Sequence, residues 1–146
     1  MFRFQIIQGP VFKVDENIID NIFKNVSKYI NKTQNGIINI VCVPPEEIQT
    51  LNSKYRSKDT PTDVLSFHYF EDFGQLQEHD TAGEVILCEE ILIQNTQEYG
   101  VSNQQEFYKL IIHSLLHILG YDHEEEQDYI KMQEKEHQIW QEVFEK

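Results

Sequence analysis

Apolar and polar residues alternate near the start of the chain, and further along apolar residues recur at helical spacing. Residues 2–8 alternate, which predicts a strand that ends at the turn-forming pair Gly9-Pro10. After Asp15, a candidate helix cap, the apolar positions follow helical periodicity and predict an amphipathic helix to about Asn31. The chain therefore begins with a strand and then a helix.

The rest of the chain alternates between short apolar runs, which predict strands, and longer periodic segments, which predict helices. Because strands come mostly first and helices mostly last, we expect an α+β fold in which a small sheet of about four strands packs with about five helices. Asp122 is a candidate cap of the last helix, with Glu125 in capping-box register. The predicted strands are residues 36–43, 63–70 and 84–88, the predicted helices are 44–56, 89–100, 103–120 and 124–144, and a polar loop is predicted at 71–83.

Composition favours one folded domain that spans residues 1–146. Of the 146 residues, 40% are hydrophobic and 12% are aromatic, which is enough to build a core without disulfides. The 12 basic and 25 acidic residues give a net charge of −13. That charge disfavours casual binding to DNA or to a membrane surface, but it is compatible with a small local positive site.

The chain carries no pattern typical of export or of membrane insertion. Residues 1–10 have no long apolar core, and no apolar run approaches the roughly 20 residues of a membrane helix. Cys42 and Cys88 each lie in a short apolar run and are expected to be buried free thiols, which favours a reducing compartment. We therefore expect a cytoplasmic protein.

Three of the six histidines fall within one apolar segment, HSLLHILGYDH, at residues 113–123. His113 and His117 are four residues apart on a predicted helix, so their side chains lie about 40° apart and roughly 6 Å along the axis. Gly120 occupies the position where helices commonly end in a left-handed glycine. A chain that turns back at this glycine brings His123 towards the other two rings.

This arrangement predicts a catalytic metal site. Three neutral histidines around a zinc ion leave the fourth tetrahedral position to water, whereas a structural zinc site is normally closed by four protein ligands. Packing alone rarely places three histidines around a glycine corner, because an unpartnered buried imidazole is costly. We therefore predict that His113, His117 and His123 bind one Zn2+ ion.

The histidine spacing resembles the zinc motif of the metzincin proteases. In those enzymes a glutamate directly follows the first histidine and acts as general base on the zinc-bound water. Here that position is Ser114, which cannot hold a proton at neutral pH. The ligand spacing is shared, but peptide hydrolysis by that route lacks its base.

A locally basic patch lies upstream, in the segment LNSKYRSKDTPTDVLSF at residues 51–67. It contains Lys54, Arg56 and Lys58 within five residues of an otherwise acidic chain. Taken alone, this segment is as compatible with a solvated helix end followed by a loop as with a functional site.

The basic segment, together with AGEVIL at residues 82–87 and the histidine segment, resembles the YbeY family of bacterial endoribonucleases. The resemblance extends over residues 40–135, approximately, and the two longer motifs are specific in combination. Two positions depart from the family pattern. Ser114 stands where the family usually has glycine, and His68 stands where proline is common.

The resemblance implies a zincin-like metal helix in an α+β fold and an endoribonuclease specific for single-stranded RNA. Its implied substrate is ribosomal RNA of the small ribosomal subunit, notably at the 3′ end of the 16S RNA, with a further role in ribosome quality control. The family's metal ligands, usually taken to bind zinc, map to His113, His117 and His123, and its functional arginine maps to Arg56, the candidate catalytic residue. A guanidinium beside a dication would form an anion site within an acidic protein.

Two other functions stay open on the sequence alone. One is a metal-dependent hydrolase of peptides or small esters, which Ser114 disfavours. The other is a non-catalytic ribosome-associated protein whose zinc only braces the fold, which an open coordination position disfavours. The proton-transfer group is also open, with Glu84 and Asp59 as candidates on chemical grounds.

Overall fold

The computed structural model describes residues 1–146 and contains a four-stranded sheet and five helices. This confirms the α+β fold predicted from the hydrophobic pattern. None of the helices combines the length and apolar content that crossing a bilayer requires. The strands are β1 (Arg3–Gln8), β2 (Ile37–Cys42), β3 (Val64–His68) and β4 (Thr81–Leu87), and the helices are α1 (Glu16–Tyr29), α2 (Pro45–Arg56), α3 (Glu89–Tyr99), α4 (Asn103–Ile118) and α5 (Glu126–Phe144).

The sheet is mixed, with the strand order β1-β2-β4-β3. β1 pairs in parallel with β2, and β2 pairs in parallel with β4. β3 pairs antiparallel with β4 and forms one edge of the sheet. The outer side of β3 therefore carries backbone groups that no neighbouring strand satisfies.

Helices cover both faces of the sheet. On one face, a large core joins α1 and α4 to the strands, with Phe23, Ile40 and Ile111 among its fully buried side chains. On the other face, α2 packs through Ile48 against Leu65 and other residues of β3 and β4. α4 contacts α1, α3, α5 and two strands, which explains why its sequence is apolar on nearly every side.

β4 begins earlier than predicted, at Thr81 instead of residue 84. The first residues of the strand, Thr-Ala-Gly, have no alternating apolar pattern from which a strand could be predicted. Pairing on both sides extends it nevertheless, since Gly83 pairs with Ile38 of β2 and with His68 of β3. Tertiary hydrogen bonding has overridden the local pattern here.

The capping box predicted at the start of the last helix was wrong. The Oδ1 atom of Asp122 accepts a hydrogen bond from Glu124 N at 2.8 Å, an Asx turn that lies before the helix. α5 begins only at Glu126, and the side chain of Glu125 makes no capping hydrogen bond. Asp15 does cap α1, as predicted.

Gly83 is required in the interior of the sheet because a side chain there would collide with β3. A Cβ atom at this position would lie 2.4 Å from the carbonyl oxygen of Phe67. We expect Gly83→Ala to lower the free energy of unfolding by about 1–3 kcal/mol, the usual cost of overpacking. Urea denaturation, monitored by circular dichroism, measures this free energy. Gly9→Ala is the matched control, since its nearest contact would be an ordinary 3.4 Å to Ile6. Equal losses in both variants would contradict the steric argument.

Candidate metal centre

α4 carries two histidines on an otherwise buried helix. The hydroxyl of Ser102 caps the helix by accepting a hydrogen bond from Gln105 N at 3.0 Å. The apolar residues that follow Phe107 fix the helix in the core. His113 and His117 are only half-buried, and they line a cleft whose other walls come from α2 and β3.

The corner predicted at Gly120 is present. Gly120 has a φ of +100°, in the left-handed region that glycine adopts without strain. The amide of Tyr121 donates to Leu116 O at 3.0 Å, the hydrogen bond that closes a Schellman motif. Lys32 Nζ donates to Leu119 O at 2.5 Å and so satisfies a carbonyl that the helix end leaves free. These contacts turn the chain back towards the cleft.

The three histidines converge at this corner. The ring centroids of His113 and His117 are 4.5 Å apart, those of His117 and His123 are 5.1 Å apart, and those of His113 and His123 are 5.9 Å apart. One ligand nitrogen from each ring lies within 4.8 Å of the others. The structure thus brings together all three residues that the sequence suggested as metal ligands.

The spacing of the nitrogens fits one metal ion. His113 Nε2 and His117 Nε2 are 3.0 Å apart. Two imidazole nitrogens bound to Zn2+ at about 2.0–2.1 Å in tetrahedral geometry would be about 3.3 Å apart, so this pair needs to open only slightly. Imidazole donors suit zinc and other divalent transition metals. The cluster can therefore hold an ion of this class.

The ring of His117 is held neutral at physiological pH. Burial is the main cause that lowers the pKa of His117 to about 4, with the nearby rings of His113 and His123 acting in the same direction. A backbone hydrogen bond at Tyr121 and the carboxylate of Glu136 partly oppose this shift. Because metal ions bind neutral imidazole, such a ring needs to lose no proton before it can act as a ligand.

Glu136 on α5 contacts His113, and the sequence analysis missed it. Its Oε1 atom lies 2.5 Å from His113 Nδ1 in a half-buried pair. A carboxylate at this position keeps the proton on Nδ1 and leaves Nε2 free for a metal ion. The available signal was helical spacing: Glu136 lies four residues after Met132 and three before Ile139, the two buried residues of α5.

Arg56 lines the same cleft as the histidines. The cleft has a volume of about 750 Å³ and is also lined by Lys58. Arg56 Nη2 donates to Ser66 O at 2.9 Å, and the guanidinium carbon lies 5.2 Å from the ring centroid of Phe67. These contacts anchor the side chain at the edge of β3 while leaving it exposed, with further N–H groups available to an anion.

The two residues suggested for proton transfer do not line the cleft. Glu84 accepts a hydrogen bond from the hydroxyl of Tyr69, and Asp59 accepts one from Gln49 Nε2 at 3.1 Å. Neither is therefore placed to exchange a proton with a substrate held there. The carboxylates that do line the cleft are those of Asp63, Asp122 and Glu124.

Comparison with known proteins finds relatives that match nearly the whole chain. The family model described as Endoribonuclease YbeY matches residues 9–143. The endoribonuclease YbeY of Fusobacterium nucleatum is 39% identical over 134 residues, which cover 83% of this chain and 82% of that protein. The corresponding protein of Carboxydothermus hydrogenoformans is 39% identical over 127 residues, 86% of each chain.

A solved structure shares both the fold and the sequence pattern. The solution structure of TM1509 from Thermotoga maritima aligns with a TM-score of 0.66 at 32% identity, covering 99% of this chain and 90% of that protein. The endoribonuclease YbeY of Thermotoga maritima is 33% identical over 138 residues, 94% of this chain and 85% of that protein.

We expect Glu136→Gln to weaken metal binding about 10- to 100-fold, the usual loss when a ligating histidine is deprived of its hydrogen-bond partner. Competition with a chromogenic chelator measures the affinity for Zn2+. Glu134→Gln is the matched control, since Glu134 lies on the same helix but is exposed. If Glu136→Gln binds Zn2+ as tightly as the unaltered protein, Glu136 does not orient His113.

Proposed function

The chain belongs to the YbeY family of endoribonucleases, and from this premise we propose that it is a zinc-dependent endoribonuclease specific for single-stranded RNA. Its substrate would be ribosomal RNA, at the 3′ end of the 16S RNA of the small subunit and during ribosome quality control, as the family resemblance implies. A cytoplasmic location would follow from that role. The observation that carries the proposal is the placement of three histidines and Arg56 around one cleft.

His113, His117 and His123 would hold the zinc ion. Held by these three imidazoles, the ion would supply a bound water of lowered pKa and a positive charge close to a phosphate oxygen. The chain contributes orientation, because the carboxylate of Glu136 contacts Nδ1 of His113 and so fixes that ring.

Arg56 would bind the phosphodiester and stabilise the negative charge that develops on it. Its guanidinium is held by Ser66 O and by the ring of Phe67, so little side-chain entropy is lost when a phosphate binds. A planar guanidinium can contact two phosphate oxygens at once, which an ammonium cannot do. Arg56 is accordingly our candidate catalytic residue.

The overall charge shapes how RNA would reach the site. With a net charge of −13 the protein as a whole repels a polyanion, whereas the cleft with its histidine-bound ion and Arg56, and the neighbouring Lys54 and Lys58, would attract one. Productive binding would then depend on a ribosome that presents the RNA. This supports an enzyme of restricted substrates over a general scavenger of RNA.

The position of Ser114 argues against a peptidase. Its side chain is only 1% exposed and its hydroxyl has no hydrogen-bond partner, so it does not face the cleft where a general base would act. A purely structural zinc site would have no need of an exposed arginine in the same cleft. Both alternatives left open by the sequence are therefore less well supported than the nuclease.

Removing one histidine should abolish both metal binding and cleavage. We expect His117→Ala to retain less than about a tenth of the bound metal, because two imidazoles hold zinc weakly. Elemental analysis of the purified protein and cleavage of a fluorescent single-stranded RNA measure the two effects. His79→Ala, an exposed histidine in a loop, is the control and should behave as the unaltered protein. Full RNA cleavage by metal-free His117→Ala would contradict zinc dependence.

Removing Arg56 should separate metal binding from catalysis. We expect Arg56→Ala to keep its metal and to lose cleavage by about 100- to 1,000-fold, as when an enzyme loses one donor to a developing charge. Arg56→Lys should recover only part of the lost cleavage rate. Arg3→Ala removes an exposed arginine that pairs with Glu78 and serves as the charge-matched control. Cleavage at the original rate by Arg56→Ala would show that the assigned role is wrong.

A further inference from the structure

A group of exposed aromatic side chains lies beside Arg56, outside the metal cleft. Tyr55 and Tyr69 are each 51% exposed, although large rings are normally buried to a greater extent. Together with the half-buried Phe67, these two exposed rings form what we call the aromatic edge. Neither the histidine cluster nor the fold of the chain accounts for the exposure of these rings.

The three rings of the aromatic edge occupy one face of the sheet. The rings of Tyr55 and Phe67 are 5.3 Å apart in an edge-to-face arrangement. Phe67 and Tyr69 are two residues apart on extended chain, which places them on the same face. The hydroxyl of Tyr69 donates to Glu84, which lies directly opposite Phe67 on β4.

Arg56 connects the aromatic edge to the metal cleft. Its guanidinium lies over the ring of Phe67 at 5.2 Å, and the same side chain lines the cleft with the three histidines. A strand of RNA whose phosphate contacts Arg56 would therefore have its neighbouring nucleotide within reach of Tyr55. The two surfaces are continuous through one residue.

The charge around the aromatic edge favours a polyanion. Lys54 and Lys58 flank Arg56 in sequence, and none of the three forms an ion pair with a carboxylate. Lys54 Nζ lies 5.1 Å from the ring centroid of Tyr55. Three basic residues without an ion-pair partner thus lie within five positions of one another in a chain with a net charge of −13. Exposed aromatic rings interleaved with basic side chains are the surface that single-stranded nucleic acids recognise.

We propose that the aromatic edge binds the bases of single-stranded RNA next to the phosphate held at Arg56, with Tyr55 as the principal stacking residue. The inference rests on the proposed function, since it places the flanking nucleotides of the same substrate. Stacking on a ring is available to every base and only to bases that are not paired. The aromatic edge would thus select single-stranded RNA while tolerating many sequences.

Equilibrium binding of a single-stranded RNA probe tests this directly. The probe is a fluorescent, 2′-O-methylated RNA of ten nucleotides, checked on a gel to remain intact, and fluorescence anisotropy with the zinc-loaded protein gives its Kd. We expect Tyr55→Ala to raise the Kd about 5- to 150-fold, the range found when one base loses its stacking partner. Tyr55→Phe keeps the ring and should stay within about twofold of the unaltered protein.

Two further variants control for indirect effects. Tyr55→Leu keeps an apolar side chain against Phe67 but has no aromatic face. It should therefore weaken RNA binding as much as Tyr55→Ala does, although it preserves more of the packing and hence of the stability. Tyr99→Ala removes a ring that is 68% exposed at the end of α3 and should leave the Kd unchanged. A Kd that tracks thermal stability instead of aromaticity would overturn the proposal.

The failure of this inference can be told apart from the failure of the proposed function. If the unaltered protein cleaves single-stranded RNA and both Tyr55→Ala and Tyr55→Leu bind the probe as tightly as it does, the aromatic edge is not an RNA site. If the unaltered protein binds the probe in a Tyr55-dependent manner but cleaves no RNA, the stacking site stands and the nuclease proposal fails. Tight binding of a fully paired RNA that also depends on Tyr55 would overturn the stacking mechanism.

Discussion

The ending of α4 is the constraint on which the site depends. One helix can aim two histidines at an ion when they are four residues apart, but it cannot supply the third from position 123. Continued as a helix, the six residues from His117 to His123 would turn the side chain about 120° away from His117 and carry it about 9 Å further along the axis. The left-handed Gly120 breaks that rotation, and a Cβ atom there would lie 2.9 Å from Lys32 Nζ. The backbone conformation therefore favours glycine at this point, whereas the flexible side chain of Lys32 could move aside.

Charge explains why this cluster selects a cation and why the surroundings then select an anion. Burial, together with the neighbouring rings of His113 and His123, lowers the pKa of His117 and keeps its ring neutral. That ring therefore presents a lone pair, and the carboxylate of Glu136 beside His113 adds to the attraction for a positive ion. Once such an ion is bound, its charge and that of Arg56 would make the cleft an anion site. The net charge of −13 disfavours anion binding over the protein as a whole, so the proposed site and its neighbouring basic residues would stand out.

The sequence predicted those parts of the site that local chain geometry determines. The spacing of His113 and His117 and the corner at Gly120 follow from helical periodicity and from glycine's conformational freedom, and the structure has both. Helical spacing places Glu136 on the buried side of α5, but only the packing of α5 against α4 shows that it meets His113. The early start of β4 was missed for a similar reason, since residues 81–83 show no alternating apolar pattern and are held in the sheet by pairing with β2.

The position of Arg56 shows how an edge strand has been turned into part of the site. β3 has no strand on its outer side, and an unprotected edge invites pairing with other chains. Arg56 bonds the outward carbonyl of Ser66, and the left-handed Ser57 that follows α2 ends the helix just after Arg56. The same hydrogen bond holds the guanidinium between the histidine cleft and the ring of Phe67. A lysine could neutralise charge at this position, but it could not satisfy the carbonyl, stack on the ring and keep donors for a phosphate at once. The sheet edge and the proposed phosphate contact would thus rely on the same side chain.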